Sequence, residues 1–302
     1  MDQLSAMRAF VRVVETGNFT RAAESLRMPK ATLTNLIQRL EKHLQTKLLN
    51  RTTRLVIVTT DGAFYYERAV QLVSEIDELD NSLTHRQTRP SGRLRVEMSG
   101  AFADWYVIPS LADFYQSYPD IQLDIGVTDR TVDYVRENVD CALRAGEPKD
   151  QSLIARRVSE IGLITCAAPS YLENHGTPST PAQLETDHLC VNYFIAQTGS
   201  LKPFVFAQDD SEISINSKHR IAVNDVRSYL RATISGQGIG QLPDFMAEDE
   251  IAKGALVPVL SDWKAKTVPV YVVYPPNRHL SNKVRVFVDW LIGMLSDIQP
   301  VR

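Results

Sequence analysis

The chain has 302 residues, 44% of them hydrophobic and 23% charged, with a formal net charge of −3. That length exceeds a usual single domain and predicts two or three folding units, while the composition excludes a disordered or fibrous chain. Three cysteines, Cys141, Cys166 and Cys190, lack CxxC spacing and are odd in number, which argues against a secreted disulfide framework and favours a reducing cytoplasm. The N-terminal MDQLSAMRAFVRVVETG has charges in every apolar run, so it reads as neither a signal peptide nor a membrane span. Charge is unevenly divided: residues 1–60 hold ten Lys/Arg against four Asp/Glu, a balance of +6 that leaves −9 for the remainder. That asymmetry fits a nucleic-acid-binding module joined to an acidic partner domain, with a solvated basic face as the alternative.

Leu4, Met7, Val11 and Val14, with Phe10 beside them, follow one helix face, and Gly17 ends it. Thr20 is placed to cap a short second helix, with Glu24 near the position from which a capping-box acid reaches back. Met28-Pro29-Lys30 turns the chain into a third helix, whose Leu33, Ile37, Leu40 and Leu44 form one buried stripe. The opposite face carries Lys30, Thr34, Asn35, Gln38 and Arg39, donors and acceptors of the kind that touch base edges and phosphates in a major groove. The following LLNRTTRLVIVT is rich in β-branched residues and predicts a small two-stranded wing. Arg51 and Arg54 fall at its tip, where an arginine reaches backbone or minor groove.

Helix, short helix, turn, helix and basic wing describe a winged helix-turn-helix over residues 1–60. The stretch resembles the DNA-binding domain of the LysR-type transcriptional regulators through MRAFVRVV (Met7 to Val14), GNFTRAAESL (Gly17 to Leu26), PKATLTNLIQRLE (Pro29 to Glu41) and LLNRTTRLVIVT (Leu48 to Thr59) followed by Gly62. The resemblance implies DNA contact by Lys30, Thr32, Thr34, Asn35, Gln38 and Arg39, with wing contacts from Arg51, Thr52, Thr53 and Arg54. Two letters depart from the family's habit: Asn35 stands where arginine is frequent, and Leu55 where a second basic residue often follows the wing arginine. Asparagine pairs with adenine where arginine prefers guanine, so the expected operator shifts toward A·T at that position. Leu55 removes one phosphate contact and with it about one unit of salt dependence.

Residues 61–88 read as a linker helix. Tyr65, Ala69, Leu72, Ile76, Leu79 and Leu83 alternate spacings of four and three, a heptad seam for a partner helix, the alternative being a long helix lying on its own domain. The resemblance implies an antiparallel dimer through this helix, whose two DNA-binding domains read a two-fold-related site.

Arg89-Pro90-Ser91-Gly92 is a breaker cluster that opens a further unit, residues 93–302. Strands over Leu94–Ser99, Ile121–Val127 and Asp140–Arg144 alternate with helices over Tyr106–Tyr118 and Thr131–Asn138, which predicts a mostly parallel, helix-covered sheet. A second such region runs from Leu163 to Ser261, with a helix over Val226–Ser235. A strand over Val268–Tyr274 and a helix over Asn282–Ser296 then rejoin the first. The pattern resembles the periplasmic-binding-protein-like effector domain of the same family through SGAF (Ser99 to Phe102), DCALRAG (Asp140 to Gly146), AVND ending at Asp225 and GQGIGQLP (Gly236 to Pro243). The expected fold is α/β overall: an all-α winged helix-turn-helix, a long linker helix and a two-lobed α/β domain. Lobe I is expected at about 93–162 and 267–302, lobe II at about 163–266.

Ligands of such folds bind outside the carboxyl ends of strands. Ser99, Gly100, Ala101 and Phe102 follow the first strand and precede a helix whose free N–H groups favour an anion. Thr128 and Asp129 close the next strand, and Phe194 and Asn224 face them from the other lobe. Arg144 ends a strand in the same region and either holds a carboxylate or pairs with Asp140 or Glu147, the pairing being the favoured reading.

Gly236 to Gly240 is no dinucleotide fingerprint, because it follows a helix and has Gln241 where the third glycine is required. The histidines include no i, i+4 pair and no cysteine partner, and no GxSxG, P-loop or kinase signature occurs, so no metal, cofactor or catalytic set is expected. The cysteines read as inert buried thiols. These observations predict a cytoplasmic, non-enzymatic transcriptional regulator that binds double-stranded DNA and a small-molecule effector, with organic and aromatic acids as candidates. It would self-associate to dimer and tetramer, engage RNA polymerase and touch no membrane. The competing class is an enzyme or transport-type binding protein that uses the N-terminal helices only as a partner module.

Overall fold

The computed structural model describes residues 2–51, 56–83, 89–134, 136–148, 150–208, 211–276 and 281–296. The chain divides into two compact units, residues 1–88 and 89–302. No helix among the described residues is long and apolar enough to cross a membrane.

In the first unit α1 (Gln3–Thr16) starts on Asp2, which accepts from the Ser5 amide at 3.0 Å, and stops on Gly17 at a φ of 63°. A left-handed residue of this kind ends a helix at little steric cost only when it is glycine. The cap of α2 (Phe19–Ser25) is Asn18 rather than Thr20: its Oδ1 accepts from the Thr20 and Arg21 amides at 2.8 and 3.2 Å. Asparagine is at least as good a cap as threonine, and with the start one residue or more earlier Thr20 is helical and Glu24 is out of register for a capping box.

The third helix, α3 (Lys30–Leu44), begins after Pro29, and no side chain caps it. Its Leu33, Ile37 and Leu40 are fully buried among Ala6, Ala9, Phe10 and Val13 of α1 and Ala22 and Ala23 of α2. The face of α1 that meets α3 thus combines Ala6 and Ala9 with Phe10 and Val13, and Val14 packs at its edge, whereas the large-residue periodicity had also pointed to Leu4. Met7 and Val11 turn to another side, against Ala69 of α4 (Thr60–Leu83). Between α3 and α4, β1 (Leu49–Arg51) and β2 (Val56–Val58) pair antiparallel with Leu49 opposite Val58.

The second unit opens with β3 (Gly92–Met98), α5 (Gly100–Phe102), a π-helical turn over Ala103–Val107 and α6 (Ile108–Ser117). Next come β4 (Ile121–Val127), β5 (Cys141–Ala145) and β6 (Ile154–Ile161). Where a helix is expected over Thr131–Asn138, the described residues are irregular chain and turn. Asp133 accepts from the Arg136 amide at 2.9 Å, Glu137 binds Arg130, and Asn138 has a φ of 54°. Side chains that bond locally in this way offer the backbone an alternative to the helix ladder.

A second set of elements comprises β7 (Leu163–Ala167), α7 (Pro169–His175), α8 (Gln183–Thr186), β8 (Cys190–Tyr193), β9 (Phe204–Gln208), β10 (Ser211–Ile215), β11 (His219–Val223), α9 (Val226–Ile234), β12 (Gly240–Pro243), α10 (Asp244–Ala252), β13 (Val257–Pro258) and β14 (Lys264–Ala265). The chain then returns through β15 (Val268–Tyr274) and α11 (Asn282–Ser296).

The first sheet has the order β4-β3-β5-β15-β6, in which β4, β3 and β5 are parallel while β15 runs antiparallel to both neighbours. Because β6, like β5, is antiparallel to β15, it runs with the parallel set, so the sheet is mostly parallel as expected and the returning β15 alone is reversed. Phe114 and Phe287 close its core over Leu94, Val96 and Met98. All strands from β7 to β14 belong to other sheets, so the chain leaves the first lobe after Ile161 and re-enters it at Val268. At the outgoing crossing Asp244 accepts from the Gly162 amide at 3.1 Å and donates its own N–H to the Gly162 carbonyl at 3.0 Å.

Candidate nucleic-acid interface and ligand cleft

On α3 the side chains of Lys30, Thr32, Asn35, Gln38 and Arg39 are exposed and Thr34 is half-buried. They project from a helix whose other side is locked by Leu33, Ile37 and Leu40, so a polar, partly cationic face is presented on a rigid support. Arg51 ends β1; its side chain, together with Thr52, Thr53, Arg54 and Leu55, lies outside the described residues. The base of the wing is well defined. Glu41 Oε1 accepts from the Leu48 and Leu49 amides at 3.0 and 3.1 Å, and Oε2 meets Lys47 Nζ at 2.9 Å. Burial works to raise this carboxyl's pKa, but the bonds from Lys47, Leu49 and Leu48 outweigh it and hold the group below its ordinary value.

Two of the six seam residues on α4 are used inside the unit. Tyr65 lies edge-on to Phe10 with ring centroids 5.6 Å apart, and Ala69 is buried against Met7 and Val11. Among the described side chains of α4 the large apolar residues left exposed are Phe64 at 70% and Leu72 at 48%, with Ile76 half-buried; the side chains of Leu79 and Leu83 lie outside those described. Heptad counting finds the apolar face of a helix, but it does not distinguish a neighbour in the same chain from a partner.

In the second unit the two lobes meet along α9. Val226 N–H, the first of α9, donates to Asp129 Oδ2 at 2.7 Å, while Asp225 caps the same turn by accepting from Ser228 N at 2.7 Å. Burial lifts the Asp129 carboxyl above its ordinary value, and Asp225 adds to the rise, against the lowering effect of the Val226 bond. Tyr193 O–H donates to the Asn224 carbonyl at 3.1 Å. Arg227 reaches across to Asp104 at 3.3 Å, and a side chain at Gly100 would run into the Arg227 guanidinium. Arg144 Nη1 donates to the Thr128 carbonyl at 2.7 Å, and its Nη2 is buried without a hydrogen-bond partner. The proposed partners of Arg144 are engaged elsewhere: Asp140 accepts from the Arg95 amide and Glu147 from the Tyr271 hydroxyl.

Of the anticipated cleft residues, Thr128 and Arg144 are bonded to each other, Gly100 lies under Arg227, and Ser99 is half-buried. Asn224 is exposed beside Tyr193, whereas the contacts of Phe194 are with Val223 and Leu201. Ala101 and Phe102 turn inward. Ala101 packs among Tyr229, Leu242 and Met246 of the second lobe, and Phe102 is 2% exposed, stacked 6.5 Å from Phe245. Sequence reasoning missed Asp104, Tyr193 and Arg227, which meet the cleft from three separate segments. Only the Asp-x-x-Ser capping pattern at Asp225 marked the place.

Residues 4–63 match the model described as bacterial regulatory helix-turn-helix protein, lysR family, and residues 87–296 match the LysR substrate binding domain. The chain belongs to the LysR family. This LysR-type regulator is 36% identical over 299 residues to an HTH-type transcriptional repressor of Pseudomonas aeruginosa, covering 98% of this chain and 93% of that one. The solved structure of CrgA, a LysR-type transcriptional regulator from Neisseria meningitidis, superposes with a TM-score of 0.60 at 32% identity, covering 97% and 99% of the two chains. The full-length Vibrio cholerae virulence activator AphB gives 0.58 at 28% identity with the same coverage. The protein is thus a transcriptional regulator with a helix-turn-helix DNA-binding domain and an effector domain, not an enzyme.

The regulator's three thiols are all buried and free. Burial pushes Cys166 and Cys190 up to about 12 and Cys141 higher still, so the reactive thiolate is scarce at neutral pH. We expect native protein at pH 8 to resist iodoacetamide and to take up three equivalents only after unfolding in guanidinium, as counted by intact mass. Rapid labelling of any one thiol in the folded protein would contradict its placement.

Proposed function

We propose that this LysR-type regulator reads a two-fold-related DNA site with α3 and the wing of two chains, and that a small-molecule effector held between the lobes of its second unit controls the reading. The observation that supports it best is the exposed row Lys30, Thr32, Asn35, Gln38 and Arg39 backed by a fully buried apolar stripe. A rigid helix with that face can enter a major groove, Asn35 accepting and donating to adenine while Lys30 and Arg39 meet phosphates. Arg51 and Arg54 grip the backbone beside it. The dimer forms along α4 through Phe64, Leu72 and Ile76 rather than through Tyr65 and Ala69. Dimers assemble further to tetramers, and the regulator acts on RNA polymerase in the cytoplasm.

For the effector we place an organic or aromatic acid against Arg144, with Gly100, Thr128 and Asn224 around it. The buried, unpartnered Nη2 of Arg144 calls for an acceptor oxygen, and a carboxylate is the acceptor that a guanidinium fork holds best. Asp129 and Arg227, which bridge the lobes in this structure, are the groups that such a ligand would rearrange.

Three outcomes test this reading. In titrations on the protein's own upstream region, Asn35→Ala should relax base preference at one position at a cost of about 1 to 3 kcal/mol, while Arg54→Ala should weaken all sequences alike; uniform losses from both would displace α3 from the groove. Phe64→Asp and Leu72→Asp should sediment as monomers, and an unchanged assembly would move the dimer contact off this face. Acids that raise the melting temperature in a thermal-shift screen should lose most of that shift in Arg144→Lys, which keeps the charge but not the fork. A shift that survives would put the ligand elsewhere.

A further inference from the structure

Glu41 is misplaced by every local rule. It sits in the last turn of α3, where the helix dipole disfavours an anion, and it is 5% exposed, where an unpaired carboxylate is costly. Its compensation comes entirely from three consecutive residues that lead into the wing: the Lys47 ammonium and the Leu48 and Leu49 amides. The same residues are held from the opposite side. Thr59 Oγ1 lies 2.7 Å from the Lys47 carbonyl and 3.2 Å from that of Leu48, and it accepts from the Gly62 amide at 2.9 Å. Gly62 itself leaves no room for a side chain, because a Cβ there would overlap the Leu48 carbonyl.

The segment 47–49 is thus clamped on its N–H side by α3 and on its C=O side by the entrance to α4. Leu49 opens β1, which ends at Arg51, and Leu49 also pairs with Val58 at the return of the wing. The direction in which the wing leaves the domain is therefore set where Glu41 grips it.

We propose that Glu41 is a positioning residue for DNA recognition, fixing the wing on the recognition helix so that the wing arginines meet the backbone at a set distance from the bases read by α3. The role rests on the reading of the wing as a DNA contact. Thr59 and Gly62 extend the same clamp to α4, so reading helix, wing and linker helix turn as one body.

The test is the salt dependence of DNA affinity, which counts phosphate contacts and which a general loss of stability would leave unchanged. Full-length variants are titrated by fluorescence anisotropy against a labelled duplex from the protein's upstream region over a range of salt. Arg51→Ala should lower the log–log slope by about one unit. Glu41→Ala should lower it at least as much, the double variant should lose no more than Glu41→Ala alone, and Glu41→Gln, which keeps an acceptor oxygen for the two amides, should retain the slope. If Glu41→Ala does not fold, Thr59→Val releases the other side of the clamp and should show the same loss. A wild-type slope in the folded clamp variant, additive losses in the double variant, or a Glu41→Gln slope as low as that of Glu41→Ala would overturn the proposal. If Arg51→Ala alone leaves the slope unchanged, the wing contact itself fails and the positioning role falls with it.

Discussion

Phe10 is the contact on which the first unit depends. It is fully buried, packed with Leu33, Ile37 and Leu40 of α3 on one side and met edge-on by Tyr65 of α4 on the other. Alanines at positions 6 and 9 let α3 approach the α1 backbone closely, so one aromatic ring fills the space that remains. Because interiors of this density deform little, the angle of α3 and that of α4 are referred to the same ring. The polar face of α3 has a fixed direction for that reason, and no surface ion pair is needed to hold it.

The second unit is organised differently. Its lobes share an apolar cluster in which Ala101 and Trp105 meet Tyr229, Leu242 and Met246, and a polar rim in which Asp129 meets Val226 and Asp104 meets Arg227. The apolar contact provides cohesion, whereas the rim combines a part-buried bond at Asp129 with an exposed ion pair at Arg227. The Asp104–Arg227 pair is more than two-fifths exposed on both sides and contributes little by itself. A regulator that must respond to a small molecule needs this division, since a ligand can shift an equilibrium only by its differential affinity for the two states.

Much of this was readable in the letters. The stripe Leu33, Ile37, Leu40 and the helix Asn282–Ser296 follow from periodicity, and β4 from the alternation of Ile121, Leu123, Ile125 and Val127. What escaped did so for physical reasons. The alanine face of α1 escaped because close approach, not side-chain size, defines it. The failed helix after β4 escaped because Asp133 and Glu137 bond locally and Asn138 takes a left-handed φ, which a count of apolar spacings ignores. The apolar face of α4 was found, but not that Tyr65 and Ala69 on it meet Phe10, Met7 and Val11 of the same chain, a neighbour that only the tertiary fold supplies. The strand ends near the interlobe contact were legible, yet Asp104, Tyr193 and Arg227 come from segments whose meeting no spacing encodes.

The two chain passes between the lobes have a kinematic consequence. At the crossing Ile161 and Val268 are paired in neighbouring antiparallel strands, and Asp244 grips Gly162 through one side-chain and one backbone bond. Two adjacent chain passes of this kind make hinge rotation the simplest relative motion open to the lobes, like a door with its two pins side by side. If an effector seats at the interlobe rim as proposed, the contacts of Asp129 and Arg227 are the ones it would exchange about that axis.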